Sequence, residues 1–284
     1  MVAQLPSLAR SRPTALAPGR DRRLILHRLT DAVAPYAIIG LLLAIWQVAA
    51  TWQLVIPFLL PPPAAVAQWI VDDVLSGAFL VNAGLTLYRT FAGFMLAAVV
   101  GVAVGILMAR ISSVRWFFDP IISFGLPLPK VALLPVFMLW FGLFDASKIL
   151  MVAFSACFQI VISTWHGTQG VERELVWSAR SLGANDREIL WEIVLPAALP
   201  QILTGLQIAM PVCLIVVLVT EMQMGGQGLG DSMLAAARYA KTAGVFAGIV
   251  EIGAVGLCVI QLMELTRRRL LVWHQESLRE ETTV

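Results

Sequence analysis

The sequence predicts an all-α protein that crosses a membrane several times, on two observations. Hydrophobic residues make up 59% of the 284 residues and charged residues only 13%, whereas soluble domains average about 45–50% and about 25%. Apolar runs long enough for a crossing, which takes about 20 residues, occur six times, at 33–52, 84–109, 119–142, 148–165, 197–220 and 244–264. We therefore expect a polytopic membrane protein with about six spanning helices, and five or seven are the nearest alternatives.

The first thirty residues differ from the rest of the chain. They carry six arginines and no apolar run long enough to pack, which predicts a disordered basic tail over residues 1–30, ahead of a membrane domain at 31–284. A secretory signal peptide is the competing interpretation, because Val48 and Ala50 imitate a small-residue cleavage site. The long leader and the long apolar segment argue against it, so we expect the first span to be retained.

Lysine and arginine are distributed unevenly between the predicted loops. With the tail taken as cytoplasmic, fifteen of these residues fall in inside segments, whereas Lys148, Arg238 and Lys241 fall in outside segments. Cytoplasmic loops of membrane proteins carry such an excess of positive charge. The bias places both termini and the polar stretch at 171–200 in the cytoplasm, and it leaves the loop at 53–83 outside.

Prolines interrupt the third predicted span. Pro127, Pro129 and Pro135 fall in the stretch GLPLPKVALLPVFMLWFG at 125–142, beside Lys130. Proline leaves backbone carbonyls without partners, so such breaks are tolerated where other helices or a polar cavity satisfy them. We expect this segment to face the protein interior.

Small residues recur where helices could pack closely. Gly101 with Gly105, and Gly244 with Gly248, have the four-residue spacing that permits close approach. The glycines at 225–230 are not followed by the Gly-Lys-Ser/Thr sequence of a phosphate loop, so they predict a tight re-entrant turn after the fifth span. The three cysteines lie within apolar runs and are interpreted as small core residues.

A polar stretch between the fourth and fifth spans, VERELVWSARSLGANDREILWEIVLPAALP at 171–200, predicts two helices joined by a sharp turn. Leu175, Ala179 and Leu182 recur at i, i+4 and i+7, so they line one face of an amphipathic helix at about 172–182. Gly183 falls where the end of this helix needs a left-handed residue.

The second helix of this stretch has its own start and stop signals. Asn185, three residues before Glu188, predicts the N-cap and its reciprocal acid. We expect the helix to end near Pro196, because proline disfavours helical geometry in the residue before it. The apolar residues that this helix should turn to one side are Ile189, Leu190, Ile193 and Val194.

Five residues of this stretch keep a fixed spacing, namely Ala179, Gly183, Ile193, Leu195 and Pro196. This spacing resembles the signature loop of ABC importer permeases, which reads Glu-Ala-Ala, three residues, Gly, nine residues, Ile-x-Leu-Pro. Trp177 and Ser178 stand at its first two positions, so the family's acidic residue is missing, although Glu172 and Glu174 lie about one helical turn upstream. The third-span stretch and residues 218–248 further resemble the taurine, aliphatic-sulfonate and nitrate group of these permeases.

The resemblance implies a fold like that of type I importers, with the helix at about 172–182 acting as a coupling helix between the fourth and fifth spans. This helix would sit in a groove on a cytoplasmic ATPase subunit, and Gly183 would keep the following turn tight. Within the coupling loop at 171–196, the residues expected at the ATPase contact are Glu174, Trp177, Ser178, Ala179, Arg180, Leu182, Gly183, Leu195 and Pro196.

The resemblance also implies partners and a class of solute. We expect a complex of two permease subunits, as a homodimer or a heterodimer, with two ATPase subunits and an extracytoplasmic solute-binding protein in a bacterial inner membrane. ATP and Mg²⁺ would bind the ATPase subunits. This chain itself should bind no cofactor, metal or nucleic acid and should carry no catalytic residue. Membrane lipid should surround it. The expected solute is a sulfonate, nitrate, a thiamine-precursor pyrimidine or an aromatic carboxylate.

Ionisable residues near the spans are candidates for the solute path, because a charge near a helix centre costs roughly 2.5–3.5 kcal/mol and usually faces a cavity or a partner. The candidates are Lys130, Glu221, Gln223, Gln227 and Glu251. Two structural alternatives stay open: Glu221 caps or ties the turn at 225–230, and Glu251 is protonated and bonded to a neighbouring helix.

An ion-coupled secondary transporter is the alternative class of protein. It would use Glu221 and Glu251 as intramembrane acids. No repeat relates the two halves of the sequence, and such a carrier has no use for a long amphipathic loop of this pattern. A membrane hydrolase is disfavoured because His27, His166 and His274 all fall at predicted cytoplasmic boundaries, away from any site for an intramembrane base.

Overall fold

The computed structural model describes residues 37–56 and 58–271, and these residues form helices and turns without a strand. Contacts divide the chain into two units, 1–63 and 64–284. The first unit contains a helix α1, Ala37–Thr51, and the Trp46 indole of this helix donates a hydrogen bond to the Pro61 carbonyl oxygen of the following segment at 3.0 Å. The predicted tail at 1–30 lies outside the described residues.

The second unit begins with a short helix and then carries the long ones. The helices are α2 (Pro63–Leu75), α3 (Ala78–Arg110), α4 (Ser112–Gly125), α5 (Leu134–Phe141), α6 (Asp145–Gln169), α7 (Arg173–Ser181), α8 (Asp186–Glu188), α9 (Leu195–Met224), α10 (Leu229–Arg238) and α11 (Thr242–Leu270). A 3₁₀ turn, Lys130–Leu133, precedes α5, and a π-helical segment, Ile189–Val194, joins α8 to α9.

Four helices in the described ranges are long and apolar enough to cross a membrane: α3, α6, the continuous helix Asp186–Met224 and α11. The helix pair Ser112–Gly125 and Lys130–Phe141 would make a fifth span, although it bends by 96° at its break. α1 is shorter, and part of the first predicted span precedes the described residues. The multi-span all-α prediction is confirmed, whereas a sixth full span is not seen in the described part.

The core forms where α3, α6 and α9 meet, and glycines set the spacing. Three glycines of α3 contact α6 at a constant sequence offset. Gly93 packs against Val152, Gly101 against Ile160 and Gly105 against Thr164. An added Cβ at any of the three would come within 2.9 Å of its neighbour, so α3 and α6 run parallel with backbones in close approach. The predicted packing role of Gly101 and Gly105 is confirmed.

α10 and α11 form an antiparallel pair beside this core. An added Cβ at Gly244 would lie 2.8 Å from the Trp69 ring of α2 and 3.1 Å from Ala236, and one at Gly248 would lie 3.0 Å from Met233. The predicted packing role of this second glycine pair is therefore also confirmed.

The third predicted span is interior only in part in the single chain, because Leu134 and Phe137 of α5 are buried in the core whereas α4 is mostly exposed. α4 buries only Ile122, and Trp116, Phe124 and Leu139 of the pair are 74–83% exposed. A local hydrogen bond stabilises the break, since the Lys130 ammonium donates to the Leu126 carbonyl oxygen at 2.9 Å. In an unbroken helix that carbonyl would pair with the backbone N–H four residues later, so the side chain replaces the lost partner without burial.

Candidate functional site

α7 ends in a hydrogen-bonded turn that depends on one glycine. Gly183 has φ +91°, and the Ala184 and Gly183 N–H groups donate to the carbonyl oxygens of Ala179 and Arg180. This pattern is the Schellman motif, in which a left-handed residue closes the helix. The predicted left-handed cap is confirmed, and it reverses the chain within three residues.

α8 begins with the predicted capping box. The Asn185 side chain accepts hydrogen bonds from the N–H groups of Arg187 and Glu188, and the Glu188 carboxylate accepts one from the Asn185 N–H at 2.8 Å. The predicted apolar face of this helix is confirmed as well. Ile189 and Val194 are buried against Ala179, and Leu190 and Ile193 pack around them.

The second helix does not end near Pro196, which corrects that prediction. The chain continues as one helix from Asp186 to Met224. Proline normally breaks a helix because it lacks an N–H and its ring strikes the carbonyl four residues earlier. Here the preceding π segment shifts the hydrogen bonds by one residue, so that the Leu195 N–H reaches the Leu190 carbonyl oxygen, and the widened turn accommodates the ring.

The apolar face assigned to α7 is also partly wrong. Ala179 is buried and Val176 packs beside it, but Leu175 is 47% exposed and Leu182 is 88% exposed. The helix stops at Ser181, so Leu182 falls at its cap and leaves the i, i+4, i+7 row. Exposed apolar surface on the 171–196 loop comes from four separate side chains, these two leucines with Trp177 at 58% and Trp191 at 63%.

The other residues expected at the ATPase contact are mostly accessible on this loop. Glu174, Ser178, Arg180, Gly183 and Pro196 are exposed, and Leu195 is half-buried. An ion pair of 3.0 Å joins Arg180 to Asp186 across the turn, and Arg110 at the end of α3 donates to the Asp186 carbonyl oxygen. The loop is therefore attached to both α3 and α9.

A buried arginine that the sequence analysis did not single out organises the opposite end of the helices. Arg89 of α3 is 2% exposed. Its guanidinium lies 2.7 Å from a Glu221 carboxylate oxygen and donates at 2.9 Å to Asp145. It also donates to the backbone carbonyl oxygens of Gly226 and Gln227 at 3.0 and 2.7 Å, so one side chain links three helices to the turn at 225–230, hereafter the glycine turn.

Further hydrogen bonds hold the glycine turn on this cluster. The Thr86 hydroxyl donates to Glu221 and accepts from the Leu229 N–H. The Gly230 N–H donates to Glu221 at 3.1 Å, and the Gly228 N–H donates to Asn82 Oδ1 at 3.0 Å. The Lys148 ammonium, 1% exposed, donates to the Gly225 carbonyl oxygen. A buried turn needs such partners, because each unpaired backbone group would cost free energy comparable to a lost hydrogen bond.

Glu221 therefore holds the glycine turn by hydrogen bonds, which is the structural role named as the alternative to a place in the solute path. Its side chain is completely buried in the single chain. The missed partner could have been found from the sequence. Arg89 is a lone charge within the predicted span at 84–109, and an ionised residue there requires a partner or a cavity.

The remaining path candidates are spread over the chain. Gln223 and Gln227 are exposed near the glycine turn, whereas the Lys130 ammonium lies 5.4 Å from the Phe158 ring centre, well along α6. Glu251 of α11 is 5% exposed and its buried Oε1 atom has no hydrogen-bond partner among the described residues. Asp73 of α2 is the carboxylate that interacts with it, and burial raises the pKa of Asp73.

Gln227 has a strained backbone. Its φ is +66°, in a region that glycine occupies freely but that costs other residues on the order of 1 kcal/mol or more. Both of its backbone groups are held, the carbonyl oxygen by Arg89 and the N–H by an Asp231 carboxylate oxygen at 3.0 Å. Glycines precede and follow Gln227 in this turn, yet position 227 itself carries a side chain although glycine would adopt its backbone conformation with less strain.

Comparison with known proteins identifies the class. A family model, the inner-membrane component of binding-protein-dependent transport systems, matches residues 101–272. The chain belongs to this family. It is a membrane-spanning transport permease of the ABC importer type, and the match decides against the ion-coupled secondary transporter that Glu221 and Glu251 had kept open.

Relatives of this permease support the assignment over most of the chain. It is 32% identical to the aliphatic sulfonates transport permease protein SsuC of Bacillus subtilis, over 82% of this chain and 85% of the relative. It is also 32% identical to the taurine transport system permease protein TauC of Escherichia coli, over 84% and 88%. A chain of the inward-facing MetNI methionine ABC transporter, at 19% identity, has a TM-score of 0.58 over 68% of this chain and 96% of its own length, which confirms the type I importer-like fold of the permease.

Proposed function

We propose that the chain forms half of the solute path of an ATP-driven importer, and that a separate ATPase docks on the 171–196 loop. The observation that carries this is the exposed apolar surface of that loop. Leu182 and Trp177 are 88% and 58% exposed on a polar segment that has neither the length nor the composition of a span. Tryptophan is enriched in protein interfaces relative to the rest of the protein surface.

The loop is built to transmit force from such a partner. α7 packs through Ala179 on Ile189 and Val194, which belong to the continuous helix Asp186–Met224. Arg110 connects the same loop to α3. A displacement of α7 by ATP-driven closure of the partner would therefore move these helices as packed bodies, in the manner of rigid-element switching.

The complete assembly proposed has two permease copies, two ATPase subunits that bind ATP and Mg²⁺, and an extracytoplasmic binding protein. It lies in a bacterial inner membrane with both termini and the 171–196 loop in the cytoplasm, which the fifteen-to-three bias of basic residues supports. The solute proposed is small, in the range of sulfonates, nitrate, thiamine-precursor pyrimidines and aromatic carboxylates. Its path would be bordered by Lys130, Gln223, Gln227 and Glu251.

The test uses the complex purified through a tag on this chain from its native membranes. We expect the parent complex to hydrolyse ATP. We expect the Trp177→Ala variant to lose both the partner subunit and ATP hydrolysis. Trp140→Ala is the matched control, because Trp140 is 68% exposed on α5, away from the 171–196 loop. Undiminished co-purification in Trp177→Ala would instead make Trp177 a lipid-headgroup anchor, and a parent complex without ATP hydrolysis would contradict the proposed function.

A further inference from the structure

A cavity of about 480 Å³ opens beside the glycine turn. Its size falls in the range of small-molecule sites, roughly 300–1,000 Å³. Its lining residues come from the α2–α3 turn, the first turns of α3, the glycine turn and α10: Ser76, Gly77, Ala78, Val81, Asn82, Gln227, Asp231 and Ser232. We call it the glycine-turn cavity.

The wall of this cavity is rigid on the side where Gln227 stands. Arg89 and Asp231 hold the two backbone groups of Gln227, and Asn82 holds the next N–H. The left-handed φ of +66° at Gln227 is strain that a glycine would not carry. Strain of this kind persists where the surroundings over-determine it, and it clusters at ligand-binding sites.

The wall of the cavity offers hydrogen-bond acceptors as well as the amide N–H donors of Asn82 and Gln227. The Ser232 hydroxyl donates its proton to the Leu229 carbonyl oxygen at 3.0 Å, which leaves its lone pairs for a ligand. The Ser76 hydroxyl donates to the Asp73 carbonyl oxygen and already accepts from the Ala78 N–H. Asp231 uses Oδ2 to accept from the Gln227 N–H, and its Oδ1 accepts no hydrogen bond from the described residues. Such a wall matches a group with several N–H donors.

The charge balance around the cavity points the same way. In the buried cluster behind it the two cations, Arg89 and Lys148, face the carboxylates of Asp145 and Glu221. Asp231 also interacts with Lys148, so three carboxylates face two cations and one negative charge is in excess. Asp231 is the ionisable side chain among the described residues that line the cavity. An anion without a donor group would be repelled there, whereas an ammonium would be attracted.

We propose that the glycine-turn cavity binds the ammonium or amino group of a small solute, with Asp231 as its counter-charge and Gln227 as its orienting side chain. This inference rests on the proposed function, since it names the solute class for the same path. It favours zwitterionic aminosulfonates and aminopyrimidines over nitrate and simple alkylsulfonates.

The test measures protection of a cysteine in the wall. Ser76→Cys, in the full chain in lipid nanodiscs, is labelled with an impermeant maleimide, and the parent chain gives the background from its native cysteines. We expect 2-aminoethanesulfonate and an aminomethylpyrimidine to slow labelling, and ethanesulfonate, which lacks the ammonium, to leave it unchanged. Adding Asp231→Asn or Gln227→Gly should raise the concentration needed for protection about tenfold, while Asp72→Asn, an exposed aspartate outside the wall, should not change it.

Equal protection by ethanesulfonate would overturn the inference, as would protection that survives Asp231→Asn, or no protection by either donor-bearing probe. Measuring ATP hydrolysis by the complex purified with the same tag shows whether the inferred solute class is wrong or the proposed function itself is wrong. A complex that hydrolyses ATP while its cavity ignores both probes refutes only the solute class.

Discussion

Arg89 shows how a single charge can fix the geometry of a membrane protein. It lies at 2% exposure between three helices, and its hydrogen bonds reach two carboxylates and two backbone carbonyl oxygens. A buried ion pair does not add much net stability by itself, because desolvation offsets the attraction, but losing one partner leaves an unpaired buried charge.

Arg89→Met should therefore destabilise the chain by about 3–5 kcal/mol, because Glu221 would remain buried without its cation. The double variant Arg89→Met/Glu221→Met removes both charges and should be more stable than the single variant. Thermal unfolding of the detergent-purified chain measures both. A single variant as stable as the parent would contradict the role assigned to Arg89.

Glu251 offers the opposite situation, a buried carboxylate whose Oε1 has no hydrogen-bond partner among the described residues. Glu251→Gln removes the charge at constant size, so the folded chain should keep its membrane expression. If Glu251 borders the solute path, uptake by cells at matched expression should fall severalfold. Parental uptake would remove this residue from the path, and lost expression would make its role structural.

At the scale of elements, the turn after α7 depends on one residue, Gly183, whose left-handed backbone ends the helix. Gly183→Val places a β-branched side chain at φ +91°, which costs on the order of 1–2 kcal/mol. Nothing lies within 4 Å of the added Cβ, so the effect is on the backbone and not on packing. We expect the complex to assemble while solute-stimulated ATP hydrolysis falls.

The matched comparison for Gly183→Val is Gly183→Asn, since asparagine tolerates the left-handed region better than other residues. Hydrolysis in the asparagine variant should lie between those of the valine variant and the parent. Unchanged transport in Gly183→Val would count against a role for this turn in coupling.

The broken third span depends on a side chain in place of a backbone donor. Lys130→Met removes the ammonium that pairs with the Leu126 carbonyl oxygen, and the loss of this exposed hydrogen bond should cost about 0.5–1.5 kcal/mol. Lys241→Met is the control, because the Lys241 ammonium also lies over an aromatic ring, 5.6 Å from the Trp69 ring centre, but donates to no carbonyl oxygen of the described residues. Equal thermal stability of the two variants would refute the capping role of Lys130.

The sequence predicted a structural feature correctly where a few neighbouring residues are enough to determine it. The cap at Gly183, the capping box at Asn185 and the glycine packing at Gly101 each follow from a few neighbouring residues. The helix through Pro196 could not be predicted in this way, because a π turn relieves the proline and has no simple residue signature. The exposure of Leu182 likewise depends on where α7 stops, and helix ends are the least certain feature of a sequence pattern.

The candidate site was harder to predict because it joins distant parts of the chain. Arg89 and Glu221 are 132 residues apart, and no periodicity links them. Asp145 enters the cluster because α3 and α6 run parallel in close contact, and Asn82 enters it because α3 lies against the glycine turn. The lone arginine in an apolar run was the signal available, and it indicates a partner without naming it.

At the scale of the whole molecule, the distribution of basic residues predicts which end faces the cytoplasm. Arg180→Cys lies on the 171–196 loop and Arg238→Cys at the end of α10, and both positions are exposed. In intact cells an impermeant maleimide should label the second and spare the first, and permeabilisation should make both reactive. Labelling of Arg180→Cys from outside would invert the proposed topology.

The continuous helix from Asp186 to Met224 has a mechanical consequence. Its 39 residues make a rod of about 58 Å at 1.5 Å per residue. One end is clamped to α7 through Ala179, and the other carries Glu221 and hence the glycine turn. A rod of that length, pivoting by about 5° at one end, sweeps its far end through about 5 Å. If the 171–196 loop docks the ATPase as proposed, this helix would act as a lever arm, so that a slight rocking of α7 would move the end that carries the glycine turn by a distance comparable to the size of a small solute.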